Sequence, residues 1–166
     1  YMNYFSHKLL KLFVHQLVPF TLIISLIVIF IVLIAEFYFN LLPCKLCVYQ
    51  RFPYIAVIVF AVLAIGSGFY DKQKIALLFA SIFLASSFLA FYHSGVEYGL
   101  WSYGGCAKQA LPETLEKFHS SLAHPIPKSC NEIEWTIFNL SISIYNGVLS
   151  LALLIISLYS AVRLKK

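Results

Sequence analysis

Residues 12–35 decide the fold of this chain: they read LFVHQLVPFTLIISLIVIFIVLIA, 24 consecutive residues without a formal charge. A helix that crosses a hydrocarbon core of about 30 Å needs about 20 residues, each adding about 1.5 Å. Three more charge-free stretches have suitable lengths: Phe52–Tyr70 (19 residues), Ile75–Tyr92 (18) and Trp135–Val162 (28). The sequence therefore predicts four transmembrane helices, at about 14–35, 52–70, 75–92 and 137–162.

The composition excludes the other broad classes of protein. Of the 166 residues, 61% are apolar and 11% are charged, against about 45–50% and about 25% in soluble domains. A disordered chain would combine low hydrophobicity with high net charge, whereas the mean hydropathy here is +0.84. Transmembrane strands would show alternating polarity, which the sequence lacks. We therefore predict an all-α fold, a four-helix membrane bundle that forms a single domain over residues 1–166.

Charged residues predict the orientation of these helices. The side that holds both termini and the 71–74 turn carries seven basic residues against one acid: Lys8, Lys11, Lys72, Lys74, Arg163, Lys165 and Lys166 against Asp71. The opposite side carries five basic and six acidic residues. The positive-inside rule then places both termini in the cytoplasm and two loops, about 36–51 and 93–134, outside. Because the basic residues are scattered at the ends of spans, we predict no nucleic-acid partner.

All four cysteines fall in the two outer loops, on the side where disulfides persist. Cys44 and Cys47 form a C-x-x-C at the start of a predicted helix, whose N–H groups and dipole stabilise a thiolate. Arg51 follows Cys47 by one helical turn and can add positive charge beside that thiolate or a bound anion. Cys106 and Cys130 lie towards the two ends of the long loop.

Two alternatives remain open for these cysteines. Together the four sulfurs could bind zinc, although zinc would hold the loops shut and leave the membrane without a role. Both pairs could also be structural disulfides, a weaker interpretation for Cys44–Cys47 because so short a ring constrains the unfolded chain little. Short rings of this kind are more often redox-active, and we therefore predict redox cysteines and no metal.

Three segments carry a resemblance to a known family. Residues 42–51 (LPCKLCVYQR), 92–101 (YHSGVEYGLW) and 138–146 (FNLSISIYN) occur in this order and resemble the DsbB family of disulfide bond formation proteins. The resemblance extends over about residues 15–160. It implies a multi-pass protein of the bacterial inner membrane that oxidises a periplasmic DsbA-like thiol carrier and passes electrons to a quinone, ubiquinone or menaquinone. One departure is Ser102–Gly105, where the family often has Gly-Pro.

The same resemblance implies roles for individual residues. The reduced carrier attacks the Cys106–Cys130 disulfide at Cys106, the released Cys130 attacks Cys44, and Cys47 becomes the thiolate that faces the quinone. Arg51 and His93 are the implied quinone-binding residues, and His93 would bond a quinone carbonyl. The alternative for each is a polar anchor at the membrane interface.

Two other functions are compatible with the spans and the cysteines. One is a non-enzymatic four-span protein with two structural disulfides. The other is a thiol reductase of the vitamin K epoxide reductase type, although that family usually carries its C-x-x-C near the last span. In the long loop, Pro112–Leu122 has apolar residues at helical spacing, which predicts a short amphipathic helix on the lipid surface.

Overall fold

The computed structural model describes residues 16–68, 71–104, 130, 133 and 136–164. Within them lie helices α1 (Leu17–Phe37), α2 (Lys45–Tyr49), α3 (Arg51–Ser67), α4 (Lys72–Glu97) and α5 (Ile142–Leu164), and strands β1 (Thr136–Ile137) and β2 (Leu140–Ser141). Cys106 and the amphipathic helix predicted at Pro112–Leu122 lie outside the described residues.

Four helical segments are long and apolar enough to cross a membrane: α1, the continuous segment Lys45–Ser67 formed by α2 and α3, α4, and α5. The predicted all-α membrane bundle is confirmed. Large apolar side chains, such as Phe30, Phe88 and Val162, point outward on these helices. Lipid is the solvent that tolerates such a surface.

Local sequence explains where the second and third spans begin and end. Pro53 has no N–H to bond the Tyr49 carbonyl, and α2 ends at Tyr49. Gly68 ends α3 in the left-handed conformation with φ of 64°, which glycine adopts without steric cost. Asp71 caps α4 by accepting hydrogen bonds from the Gln73 and Lys74 amides, as a good N-cap residue does.

The bundle is built from two helix pairs. The α4–α5 pair has the most extensive contact, followed by α1 with α3, whereas α1 and α5 hardly meet. Small residues let α4 and α5 approach closely, and hydroxyl pairs join them: Ser94 with Ser143 at 2.8 Å and Ser86 with Ser150 at 2.9 Å. The sparse contact between α1 and α5 leaves a gap between the two pairs.

Several helix boundaries differ from the predicted spans, and two of these differences shape the site described below. Helix α4 continues past Tyr92 to Glu97, because a charged residue can occupy a helix end. Helix α5 begins at Ile142, since Thr136–Ser141 forms a hairpin in which Thr136 faces Ser141. Its turn residues Phe138 and Asn139 have φ of 50° and 62°, which matches the twist of a two-residue hairpin.

Gly95 is required for the packing of the loop that follows α4. A Cβ at this position would lie 2.0 Å from Trp101 Cζ2. The Trp101 indole stacks on Tyr92 with centroids 5.8 Å apart, and its Nε1 donates to the Tyr92 carbonyl at 2.8 Å. Close approach at a glycine thus holds Trp101 against the C-terminal end of α4.

We predict that Gly95→Ala displaces the indole and costs about 1–3 kcal/mol through overpacking. Lower thermal stability and a shifted tryptophan emission would report it. Gly66→Ala is the matched control, because no atom lies within 4 Å of the added Cβ. Equal melting temperatures for Gly95→Ala and the control would contradict this role of Gly95.

Candidate functional site

The dithiol lies at a helix N-terminus, as the C-x-x-C spacing predicts. Cys44 is the N-cap of α2, with an extended backbone, and its Sγ accepts a hydrogen bond from the Cys47 amide at 3.1 Å. The two sulfurs are 2.8 Å apart and share a hydrogen bond. Cys44 is buried with 2% exposure, whereas Cys47 is partly exposed.

The structure brings His93 to the thiol of Cys44. His93 Nε2 lies 3.4 Å from Cys44 Sγ, and the imidazole is 2% exposed. The extension of α4 beyond Tyr92 places His93 there. The family resemblance gives His93 a quinone carbonyl as its partner, whereas its Nε2 here faces a sulfur.

Hydrogen-bond donors around Cys44 favour its ionised form. The hydrogen bond with the Cys47 side chain lowers the pKa of Cys44 most, and His93 and the Cys47 amide lower it further. Burial raises it, because a charge loses solvation in an apolar site. The balance lowers the pKa of Cys44 from 9.0 to about 4.

We predict that Cys44 in the reduced protein remains a thiolate at neutral pH and takes up its proton only near pH 4. Because the pKa of Cys44 is lower in the folded protein than in the unfolded chain, the thiolate stabilises the fold at pH values above the pKa of the unfolded chain. This stabilisation is lost as the pH falls towards 4. The ultraviolet absorbance of thiolates during acid titration measures the midpoint. Cys47→Ala should raise it, because the largest stabilising hydrogen bond is removed. A wild-type midpoint near the ordinary thiol value would contradict the prediction.

A chain of hydrogen bonds links His93 to the interior of the bundle. Tyr54 donates to Asn146 Oδ1 at 2.5 Å, Asn146 Nδ2 donates to Gln50 Oε1 at 2.9 Å, and Gln50 Nε2 lies 2.8 Å from His93 Nδ1. With Gln50 as donor, His93 Nδ1 is the acceptor and Nε2 carries the proton. That tautomer, assigned from the network, points an N–H at the Cys44 sulfur.

Glu97 is buried beside His93. Its Oε1 lies 3.7 Å from His93 Nε2, and its Oε2 accepts hydrogen bonds from the Ser141 and Ser143 hydroxyls. Ser143 also bonds Ser94 on α4 at 2.8 Å. The carboxylate therefore fixes the start of α5 against α4, close to the imidazole.

Arg51 forms an ion pair with Glu36. Its Nη1 lies 2.5 Å from Glu36 Oε2, and the two side chains are 20% and 26% exposed. Glu36 lies in the last turn of α1 and Arg51 is the first residue of α3. The ion pair therefore connects the first span to the helix that follows the dithiol.

A cavity of about 270 Å³ occupies the gap between the helix pairs. Its walls are mostly apolar, from α1 and from the start of α5. Its polar lining includes Cys47, Gln50, Arg51, His93 and Asn146. The cavity thus brings together three residues singled out from the sequence, Cys47, Arg51 and His93. Cys44 itself does not line it.

Cys130 lies close to the dithiol although it is far away in sequence. It is fully buried and belongs to one apolar cluster with Cys44, Leu46 and Val96. Cys130 is disulfide-bonded. Cys106, its predicted partner, lies outside the described residues.

The donor atoms of Cys44, Cys47 and His93 all lie within 4.8 Å of one another. Thiolate and imidazole are ligands that zinc prefers, so the grouping is compatible with a metal ion. The absence of a metal therefore stays a prediction from the sequence.

Sequence reasoning missed three partners at this site: Glu36, Gln50 and Asn146. It counted Glu36 only among the six acids of the predicted outer side, whereas this residue pairs with Arg51. A lone acid at the end of an uncharged span, facing a lone arginine at the start of the next, was the available signal. The sequence treated Gln50 and Asn146 as general helix contacts; no local pattern reveals that both belong to the chain ending at His93.

Comparisons with known proteins identify the family of this chain. Residues 15–160 match the family model described as disulfide bond formation protein DsbB. The chain is 34% identical over 137 residues to the uncharacterized protein RP370 of Rickettsia prowazekii (strain Madrid E), a match that covers 80% of this chain and 78% of that protein. No solved structure matches significantly. The chain is a multi-pass membrane protein that belongs to the DsbB family of disulfide bond formation proteins.

Proposed function

We propose that this protein is a dithiol:quinone oxidoreductase of the bacterial inner membrane, which reoxidises a periplasmic DsbA-like carrier and passes the electrons to a membrane quinone. One observation carries the proposal: Cys47 lines an apolar cavity between membrane helices, beside a thiol that its surroundings ionise. A structural disulfide has no need of either feature.

The residues around the cavity fit a quinone ring. Ligand pockets typically combine apolar walls with a few polar groups that fix orientation, and this lining has that character. The Arg51 guanidinium offers N–H donors suited to a carbonyl oxygen. When bound, a quinone supplies an acceptor for the two electrons and two protons that the carrier dithiol loses overall.

Each cysteine of the inner pair has a separate task. Cys44 is the buried thiolate, and His93 Nε2–H and the Cys47 amide stabilise its charge. Cys47 is the thiol that reaches the cavity. Forming the Cys44–Cys47 bond removes two electrons and the Cys47 proton from the pair, and the apolar walls exclude water from that step.

Cys130 connects the inner pair to the outer one. The shared cluster keeps Cys130 near Cys44, where thiolate exchange between the two pairs requires it. The reduced carrier attacks Cys106, Cys130 is released as a thiolate, and it attacks Cys44 with Cys47 as the leaving thiolate. The second thiolate of the carrier then displaces Cys106, which releases the oxidised carrier, and the Cys106 thiolate attacks Cys130, which restores the outer disulfide and releases Cys44 to complete the inner dithiol.

The proposal is tested by quinone reduction with purified protein and a reduced DsbA-like carrier. We expect one quinone to be reduced for each carrier disulfide formed, with ubiquinone and menaquinone analogues supplied in turn. A Cys44→Ser, Cys47→Ser double variant is the control, since it retains the fold-forming helices but lacks the inner dithiol. A wild-type rate equal to the control would overturn the proposal in favour of a non-enzymatic protein.

The orientation proposed here follows from the basic residues. With both termini cytoplasmic, reporter fusions at Lys166 and Lys117 are expected to report opposite compartments, because three spans precede Lys117 and four precede Lys166. Reporters of cytoplasmic and periplasmic location, each fused at both positions, measure this. The same compartment at both positions would contradict the topology.

A further inference from the structure

The charges in the cavity wall balance. Among the described residues that line the cavity, Arg51 and Glu36 are the two that carry a formal charge at neutral pH. They form an ion pair in direct contact at 2.5 Å, and each side chain is largely buried. The polar end of the cavity therefore presents donors without a net positive charge.

The position of Glu36 does not follow from the needs of its own helix. A carboxylate in the last turn faces the negative end of the helix dipole and is disfavoured there. Helix α1 carries no basic residue in that turn. Arg51, on the next span, compensates the charge of the Glu36 carboxylate. The ion pair at the cavity, and not α1 itself, therefore stabilises the acid at this position.

From this we infer that Glu36 is a specificity-determining residue: by cancelling the charge of Arg51, it restricts the cavity to uncharged ligands. An anion that enters must either displace the Glu36 carboxylate from Arg51 or lie beside it. Beside the apolar walls, which displace part of the surrounding water, both cost more than they would in free solvent. A neutral ring with carbonyl oxygens uses the remaining guanidinium donors without disturbing the pair.

The inference rests on the proposed quinone site and deepens it. Without Glu36, Arg51 would be an unpaired buried cation, which is a binding site for anions such as fatty-acid carboxylates or acidic hydroxyquinones. With Glu36 in place, acidic amphiphiles in the membrane do not compete for the cavity.

The test compares two naphthoquinones of similar size, neutral 2-methyl-1,4-naphthoquinone and the acidic 2-hydroxy-1,4-naphthoquinone, which is an anion at neutral pH. Binding to oxidised full-length protein, whose inner disulfide can neither reduce the quinones nor place a thiolate beside the cavity, is measured by equilibrium dialysis in neutral detergent micelles, with protein-free micelles subtracted. The readout is the ratio of the two affinities. We expect wild type to favour the neutral compound, and Glu36→Gln to shift the ratio towards the anion about tenfold or more.

Three variants control for charge and folding. Glu36→Asp keeps the carboxylate, and its ratio should stay near wild type. Asp71→Asn removes one negative charge at the N-terminus of α4, away from the cavity, and replaces one good N-cap residue with another. The affinity ratio of this variant should not change. The double variant Glu36→Gln, Arg51→Gln has no charge at the site and should return towards the wild-type ratio, which provides a second measurement if the single variant is unstable.

The outcomes separate this inference from the proposed function. If wild type binds the neutral compound and the ratio is the same in Glu36→Gln, Glu36 is only a helix anchor and the inference is overturned alone. A shift of equal size in Asp71→Asn would overturn it too, because overall charge would then explain the preference. If wild type binds neither compound, the proposed quinone site and the inference fail together.

Discussion

Cys47→Ser is expected to abolish turnover with quinone while the outer pair still reacts once with the reduced carrier. Cys47 is the cysteine that lines the cavity, and without its sulfur the inner disulfide cannot form. The loss should be complete within detection, since no other thiol of the described residues lines the cavity. Quinone absorbance measures turnover, and acid-quenched thiol alkylation measures the single reaction with carrier.

Cys130→Ser is expected to interrupt the same electron path at an earlier step, between the outer and the inner cysteine pair. Without Cys130, Cys106 takes its oxidising equivalent from the inner disulfide: its thiolate attacks Cys44 and releases Cys47, and a thiolate of the reduced carrier then attacks Cys106 and releases Cys44. The mixed disulfide between Cys106 and the carrier should accumulate on non-reducing gels. The matched control is Cys106→Ser, which removes the cysteine that forms that adduct. Two structural disulfides would instead give similar losses of stability and no trapped complex. Folded Cys130→Ser protein without any carrier adduct would argue against the whole electron path.

Arg51→Ala should raise the apparent quinone KM by roughly 10–150-fold, the equivalent of about 1.5–3 kcal/mol for a lost hydrogen bond from a charged donor. The change also leaves Glu36 without its partner at 2.5 Å, beside the apolar walls. The single reaction of the outer pair with the carrier should continue at the wild-type rate. Steady-state kinetics with a short-chain quinone measure the first quantity, and rapid-quench alkylation measures the second.

Arg51→Lys is the informative companion to this variant. Lysine keeps the positive charge but loses the planar set of donors, so an intermediate KM indicates that donor geometry matters as well as charge. An unchanged KM in Arg51→Ala would return Arg51 to the role of an interface anchor at the start of α3.

The sequence by itself determined the membrane class and the four spans. Charge-free stretches of 18 to 28 residues have few alternatives, because a backbone in lipid must satisfy its own hydrogen bonds. It also identified the C-x-x-C and its helix N-terminus, since two intervening residues place both sulfurs at one helical turn. These features are local, and each depends on residues that are neighbours along the chain. The start of α5 was less well determined, because Thr136–Ser141 has no formal charge that would end the predicted span, and only strand pairing shows the hairpin.

Tertiary structure alone decided which residues meet at the dithiol. His93 lies 49 positions from Cys44, and the hydrogen bonds of Asn146 with Gln50 and Tyr54 span 96 and 92 positions. Such contacts depend on how the helices rotate about their axes and where they cross, and small residues on α4 and α5 set both through packing. The pairing of α4 with α5 and of α1 with α3 leaves the cavity between the two pairs, and the contact of α1 with α3 brings Glu36 to Arg51. Hydropathy carries no information on helix rotation, which is why the sequence predicted the cysteines and Arg51 but not the carboxylate that pairs with Arg51.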